Sequence, residues 1–495
     1  MVRRVLICCR GEIAHRFIRT CQLLGIETVV IYSADDDQAP FVLAADSSVR
    51  VQAWDPATLI QTVIDAALDS NADAVAPGYG PLAENADFAQ ACADAGLLFI
   101  GPNAAAVRHT GDKIAARAAA QRAGVPVVPG LTIDDDVETG ARAADALGYP
   151  VLLKAALGGG GRGIRVVTQP DEFSGAFAEV RHEAIRAFGS GQLYLEKFLG
   201  EVVRHIEVQV LADQHGHYLH LGTRECSVQR RRQKIVEEAP APNLSDEVRQ
   251  RLHEAALAVA REVNYDSVGT VEFLVDASEQ FYFIEMNARI QVEHPVTEQI
   301  TGVDIVEHLI RSAQGQPLGL TQEQVRFHGH AFEFRLCAEN AHGDFLPTGG
   351  RVIDYRIPEG PGIRVDSGIQ IGSLMSPLFD SLCLKLIVSA DNRAFAVRRA
   401  RAVLEEWLVA GFSTNLPVHA WLLSYPAFVD GTYDLSICNH FPSAHALPAE
   451  DARLLHAVAA LARHLELSPA AAPVPATASN QPSAWTRRNS HWQLA

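Results

Sequence analysis

The sequence predicts a mixed chain, α/β at its amino end and α+β beyond, and three observations carry that prediction. Over residues 1 to about 110, strand-like and helix-like runs alternate, the pattern of a parallel sheet wound with helices. Further on, four consecutive glycines, Gly158 to Gly161, join an apolar strand-like run to a second one, IRVV. Finally, Val271 to Glu298 reads as a hairpin, VEFLV and FYFIEMN around DASEQ, ending in a dense polar cluster.

Taken in order, VRRVLICC is a strand, GEIAHRFIRTCQLLG a helix and IETVVIYS a strand. ATLIQTVIDAALDSN is a helix, ADAVAPGYG a strand and loop, DFAQACADAG a helix and LLFIGP a strand. The first strand-to-helix turn, CRGEIA, has one glycine and no GxGxxG, so a dinucleotide fingerprint is absent. The turn Pro77 to Gly80 falls at a strand's carboxyl end, where such sheets bind ligands, although a plain tight turn reads the same way. Gly111-Asp112-Lys113 opens the helix KIAARAAAQRAG. VPVVPG and an alanine-rich helix then lead to YPVLLKAA.

Lys154, closing that strand, either snorkels or faces an anion. The glycines that follow favour the anion, because their free amides wrap phosphate oxygens and let the loop move as a lid. No GK[ST] follows, so this is not a Walker A loop. A flexible surface turn would look alike; the flanking Lys154, Arg162 and Arg165 weigh against it.

QLYLEKF is a strand, and RHIEVQVLAD alternates with His205, Glu207 and Gln209 on one face. In CSVQRRRQKIVEEAP the cations Arg230, Arg231, Arg232 and Lys234 suit a solvated face or a polyphosphate pocket. Residues 245 to 264 form an amphipathic helix.

With the hairpin turn centred near Ser278 and Glu279, Glu272 falls opposite Glu285, Leu274 opposite Phe283, and Asn287 two residues on. Opposed carboxylates about 5 Å apart repel. A hard divalent cation held together with phosphates accounts for such a pair. Two solvated glutamates in a register slipped by a bulge is the competing account. Arg289, Gln291, Glu293 and His294, followed by Pro295, favour a site. VDIVEHLIRSAQG is then a helix, and residues 330 to 440 read as a smaller α+β unit. Its strands are HAFEFRLCAE, RVIDYRIP and SLCLKLIVSA, and its helix FAVRRARAVLEEWLV. From about residue 467 the chain turns Pro/Ala/Ser-rich.

A net charge of −17 weighs against general nucleic-acid binding. Eight cysteines without CxxC spacing point to a reducing compartment with neither zinc site nor disulfide framework. The apolar run near the amino end is too short for a signal peptide, and no run reaches the roughly 20 apolar residues of a membrane span. A cytoplasmic protein is expected.

The segments CRGEIA, PGYG, GDK, YPVLLKAALGGGGRGIRVV, RHIEVQVLAD, ECSVQRRRQKIVEEAPAP, FYFIEMNARIQVEHPVTE and FDS together resemble biotin carboxylase, in order from Arg3 to about Phe441. The resemblance implies an ATP-grasp fold: an amino-terminal parallel α/β domain over 1–112 and an ATP-grasp domain over 113–328, with a mobile glycine-rich lid at about 130–203. A carboxy-terminal biotin carboxylase domain over 329–445 and a helix with Pro/Ala-rich tail over 446–495 complete it.

The chemistry implied is ATP- and bicarbonate-dependent carboxylation of biotin through carboxyphosphate, the first half-reaction of an acetyl-CoA or other acyl-CoA carboxylase. By resemblance, Glu272, Glu285 and Asn287 hold Mg²⁺ (or Mn²⁺). Lys113, Lys154, Gly159, Gly160, Gly161, Glu196, Lys197, Leu199, His205, Gln229 and Leu274, with Glu272 and Glu285, meet ATP. Lys234, Arg289, Gln291 and the Val292 amide position bicarbonate, Glu293 is the base, and Arg335 stabilises the biotin ureido oxygen.

Biotin is expected on a separate carrier protein, since none of Met1, Met286 and Met375 neighbours a lysine. A carboxyltransferase partner and a homodimer, with Arg16, Arg19 and Asp380 as contacts, are implied as well. Residues 468–495, with Trp485 and Trp492, look like a partner-docking linker or an idle tail.

Departures from the family pattern are Leu157 at the first lid glycine, Ala76 and Pro81 around PGYG, Arg232 in QRRHQK, Cys9, and Phe379 and Leu384 around Asp380. They leave room for a weakly active ATP-binding scaffold. Another ATP-grasp carboxylate ligase is the third reading, and it leaves Glu293, Arg289 and Arg335 unexplained.

Overall fold

A computed structural model of the chain describes residues 2–52, 58–133, 136–156, 164–377 and 379–442. Leu157, the glycines Gly158 to Gly161, and the tail with Trp485 and Trp492 therefore lie outside the described residues. β1 (Arg4–Ile7), β2 (Glu27–Tyr32), β3 (Ser47–Arg50), β4 (Ala74–Ala76) and β5 (Leu98–Phe99) form a parallel sheet in the order β3-β2-β1-β4-β5. Val5, Leu6 and Ile7 are wholly buried, as a strand covered on both faces must be. Val5 and Ile7 pack toward α1 (Gly11–Leu23), and Leu6 toward the helices Leu59–Asp69 and Ala86–Asp94. β3 lacks the apolar run that marks the others, being a mostly exposed edge strand that sequence pattern alone does not reveal. At the switch point beside β1, Gly78 takes φ +61, and a Cβ there would come 2.8 Å from the Cys9 sulfur.

The lid is a separate antiparallel sheet of β6 (Gly130–Ile133), β7 (Val151–Ala155), β8 (Ile164–Val167) and β9 (Leu193–Lys197), ordered β6-β9-β7-β8. The helices Val137–Leu147 and Phe173–Phe188 give it its own core around Leu153, Val167, Phe173 and Leu195.

The main sheet has eight antiparallel strands. β10 (Val203–Ala212), β11 (Tyr218–Arg230), β12 (Gln233–Ala239), β13 (Val268–Asp276), β14 (Phe281–Asn287) and β15 (His330–Cys337) run in the order β14-β13-β10-β11-β12-β15. The strands Leu382–Ala390 and then Ile363–Ser367 extend it past β15. Under β10, β13 and β14, Val208, Phe273 and Phe283 share a core with residues of the helices Lys113–Arg122 and Asp246–Glu262. Phe332, Phe334 and Leu386 do the same with the helix Arg393–Glu406. The polar face of the sheet is left to the site.

The β13–β14 hairpin carries one correction. Glu272 does oppose Glu285, but Leu274 opposes Tyr282 and not Phe283, which pairs with Phe273. The loop closes on Asp276 and Gln280, where Asp276 Oδ1 accepts from the Ser278 and Gln280 amides at 2.9 and 3.0 Å and Glu279 takes φ +59. Such a three-residue loop offsets the register by one. A bulge past Glu272 restores it, which aligns the two glutamates while keeping Phe283 and Met286 in the core. RVIDYRIP is likewise not one strand: Gly350–Arg351 pairs with Leu374–Met375, and Asp354–Arg356 with Leu408–Ala410.

Candidate active site

The polar face of β10–β14 and the turn after β14 converge on one carboxylate. Glu272 Oε1 accepts from Gln291 Nε2 (2.7 Å), Asn287 Nδ2 (2.8 Å) and Lys234 Nζ (3.0 Å), and its Oε2 lies 2.9 Å from His205 Nε2. Burial alone would raise this carboxyl, but Lys234 and His205 hold it well below the usual range. Burial works against the His205 cation, and Glu272 outweighs it, so this imidazole titrates above its ordinary value. Gln229 reaches the other ring nitrogen of His205 at 2.7 Å. Lys234 leaves the arginine run altogether: it bonds Glu207, Glu272 and Glu293, the last at 2.7 Å. Arg230 and Arg231 instead pair with Asp344 at the surface, so the whole run does not line a phosphate pocket.

Glu293 sits between two cations, Lys234 on Oε1 and Arg335 Nη2 on Oε2 at 2.9 Å. Burial would raise its carboxyl; Lys234, Arg335 and Arg224 reverse that and leave it ionised at neutral pH. Arg289 Nη2 donates to Asn287 Oδ1 at 3.2 Å, and its Nε lies 3.1 Å from Glu84. Behind Val292, the buried Lys385 donates to its carbonyl at 2.7 Å and pairs with Glu12 at 3.1 Å.

Glu285 faces Glu272 and makes no hydrogen bond or ion pair among the described residues; the nearby Arg289 acts on it only through its charge. Two carboxylates and the Asn287 amide oxygen form a hard donor set, which fits Mg²⁺ or Mn²⁺. The alternative clusters His205–Glu207–Glu272 and Glu207–Cys226–Glu293 are drawn together by Lys234 and Arg224, whose charges fill the place of a cation.

In the lid, Lys154 and Glu196 form an ion pair with each other. The Lys197 ammonium is spent on the Gly148 and Tyr149 carbonyls at 2.6 and 3.2 Å, so only its backbone is left to face a ligand. Leu274 lies opposite His205 in the sheet, Leu199 just beyond β9, and Lys113 at the start of its Asp112-capped helix. His294 points away from the site, its Nδ1 2.7 Å from the Gln291 carbonyl.

Sequence reading missed the centre of the network, Arg224. It is wholly buried and donates to Glu207, Gln209, Thr297, Thr270 and Gln291 at 2.6–3.1 Å. A cation in the middle of the central strand YLHLGTRECSVQR was the available signal.

A small antiparallel sheet with its own core, beside a larger antiparallel sheet whose polar face carries paired carboxylates and cations, defines an ATP-grasp ligase. Residues 1–107 match the biotin carboxylase N-terminal domain, 112–321 the ATP-binding domain of the carbamoyl-phosphate synthase L chain, and 333–440 the biotin carboxylase C-terminal domain. The chain is 46% identical over 439 residues to a biotin carboxylase of Nostoc, covering 88% of this chain and 98% of that one. It is 44% identical over 439 residues to biotin carboxylase 1 of Bacillus subtilis, covering 88% and 97%. The biotin carboxylase domain dimer of Hydrogenobacter thermophilus 2-oxoglutarate carboxylase, solved with MgADP, ADP and bicarbonate, superposes with a TM-score of 0.87 at 43% identity over 90% of this chain and all of that one. The Campylobacter jejuni biotin carboxylase in complex with β-γ-ATP gives 0.86 at 40% identity, over 89% and 99%. The chain belongs to the biotin carboxylase family, and it is an ATP-dependent ligase that carboxylates biotin. Among the described residues no helix is long and apolar enough to cross a membrane.

Proposed function

We propose that Glu293 is the general base that deprotonates bicarbonate, and that Arg335 serves the biotin half of the reaction. The observation that carries this is Glu293 held between Lys234 at 2.7 Å and Arg335 at 2.9 Å, beside the opposed Glu272 and Glu285. A carboxylate so strongly paired is a weak base. Bicarbonate entering among Lys234, Arg289, Gln291 and the Val292 amide shares the charge of Lys234, and the proton affinity of Glu293 rises at the moment it is needed. The deprotonated bicarbonate oxygen would then attack the terminal phosphate of ATP, displacing ADP and forming carboxyphosphate. Once Glu293 carries the proton, its claim on Arg335 lapses and the guanidinium is released to stabilise negative charge on the biotin ureido oxygen.

ATP would be held by Lys113, Lys154, Glu196, the Lys197 and Leu199 backbone, His205, Gln229 and Leu274, and Gly159, Gly160 and Gly161, outside the described residues, would supply amides to its phosphates. Glu272, Glu285 and Asn287 would hold Mg²⁺ or Mn²⁺, which when bound neutralises phosphate charge. Biotin arrives on a carrier protein outside these 495 residues, and carboxybiotin passes to a carboxyltransferase acting on acetyl-CoA or another acyl-CoA. A cytoplasmic homodimer completes the reading, in keeping with the dimer of the Hydrogenobacter domain.

The test is ADP release with and without bicarbonate and free biotin, in the native chain and in Arg335→Ser. We expect Arg335→Ser to lower biotin carboxylation about tenfold more than the slow biotin-free, bicarbonate-dependent ATP hydrolysis. Equal losses would contradict the assignment of Arg335, and turnover indifferent to bicarbonate would contradict the role of Glu293.

A further inference from the structure

Behind the site, β12, β15 and the strand Leu382–Ala390 share a face on which charges stand in a lattice. Glu237 lies directly opposite Glu333, and Arg335 directly opposite Lys385. Glu237, Glu333 and Lys385 are wholly buried. Lys385 is committed to Glu12 and the Val292 carbonyl, and Arg335 to Glu293 and Glu237. Neither oxygen of Glu333 meets a donor among the described residues, and Glu237 has only the Arg335 guanidinium. Directly opposed residues on neighbouring strands carry their Cβ atoms about 5 Å apart, which lets their carboxyl groups reach each other. Two charges there repel in a medium that screens poorly, whereas one shared proton removes the repulsion and gives each carboxyl a hydrogen bond.

The surroundings agree. Burial pushes Glu333 well above the usual carboxyl range; Lys385 and Arg335 pull it down, while Glu237 and Glu12 push it further up. His294, from the helix covering this face, adds no cation, because burial and the nearby Lys385, Arg16 and Arg364 hold it neutral.

We propose that Glu237 and Glu333 share one proton and together act as positioning residues for Arg335. Glu333 donates to Glu237, and the Glu237 carboxylate grips the same guanidinium nitrogen, Nη2, that meets Glu293. When Glu293 takes the bicarbonate proton, Glu237 keeps its grip, and the guanidinium stays aimed at biotin. Were Glu333 ionised, the doubly negative pair would draw Arg335 inward. The proposal rests on the reading of Arg335 given above.

Infrared spectra of the native chain near neutral pH should contain a protonated-carboxyl band that is absent from Glu333→Gln and moved in Glu333→Asp. Its absence from the native spectrum, or its persistence in Glu333→Gln, would overturn the shared proton. In parallel, Glu237→Gln should lower biotin carboxylation about tenfold more than biotin-free ATP hydrolysis. Glu333→Gln should move the alkaline limb of the biotin-dependent pH profile. If Arg335→Ser separates the two activities and Glu237→Gln does not, the positioning role falls and the reading of Arg335 stands. If Arg335→Ser itself fails to separate them, that reading is at fault. Should Glu237→Gln fail to fold, the infrared comparison still decides.

Discussion

Glu272 accepts from three groups and lies 2.9 Å from His205 Nε2, whereas Glu285, facing it, accepts from none among the described residues, and the two should fail differently when neutralised. Glu285→Gln removes a charge that makes no ion pair in the fold and that a bound cation would use. Turnover should fall about a hundredfold with a higher Mg²⁺ requirement and an unchanged melting temperature. Glu272→Gln takes a negative charge away from the buried Lys234 and His205 as well, so we expect it to cost about 3 kcal/mol of stability besides activity, read by denaturant titration. Histidines far from the site set an acid limit. His220 and His253 stack with ring centroids 3.8 Å apart, and burial lowers them to about 4 and about 3, with His220 and Arg249 adding to the effect on His253. A histidine that is neutral in the fold and titrates near 6.5 when unfolded favours folding above that pH, and the contribution is lost as pH falls toward the folded value. By pH 5 each loses at most about 2 kcal/mol, so His253→Phe should flatten the fall in melting temperature between pH 7 and pH 5. Residues near the polar run of the hairpin were legible because polar groups crowd a strand end. Arg224 and Lys385 were not, since one cation inside a strand looks like an accident until its partners, as far off in sequence as Glu12 is from Lys385, are placed around it.

Among elements, the amino-terminal parallel sheet was readable throughout except for β3, because apolar strands and amphipathic helices follow each other locally. The carboxy-terminal part was less so: strands of two or three residues pair across long stretches of chain, and no local period announces them. The hairpin stands between these cases. Its carboxylate pair could be read from parity, but its bulge could not, since that depends on Asp276 closing the loop. The turn is also tied to its neighbour: Ser245 caps the helix Asp246–Glu262 by accepting from Val248 N at 3.3 Å, and donates to Glu279 at 2.6 Å. Ser245→Ala should therefore cost about 1–2 kcal/mol, seen as a lower denaturation midpoint, with chemistry at saturating substrate little changed.

Across the molecule, the amino-terminal sheet and the end of the main sheet are joined through ions. Lys385 bridges Glu12 on α1 to the Val292 carbonyl, and Tyr79 caps the other Glu12 oxygen at 2.6 Å. Replacing Lys385 with Met leaves a buried carboxylate and a buried carbonyl unmatched. We expect about 3–5 kcal/mol of destabilisation together with a raised KM for bicarbonate, because the Val292 peptide loses its tether. A stability loss with an unchanged bicarbonate KM would assign Lys385 to the fold alone.

At Gly368 the junction comes down to bare backbone: a Cβ there would sit 2.8 Å from the Glu12 amide nitrogen and 3.1 Å from Gly11. His15 reaches the Ser367 carbonyl at 3.3 Å, and the Arg10 guanidinium lies 3.6 Å over the Phe379 ring. The lid, by contrast, has a core of its own. Heredity should respect that difference. A lid could be exchanged between relatives by recombination with little penalty, whereas the first hundred residues and the segment around residue 368 would have to be inherited as a matched pair, despite lying some 350 positions apart in the gene.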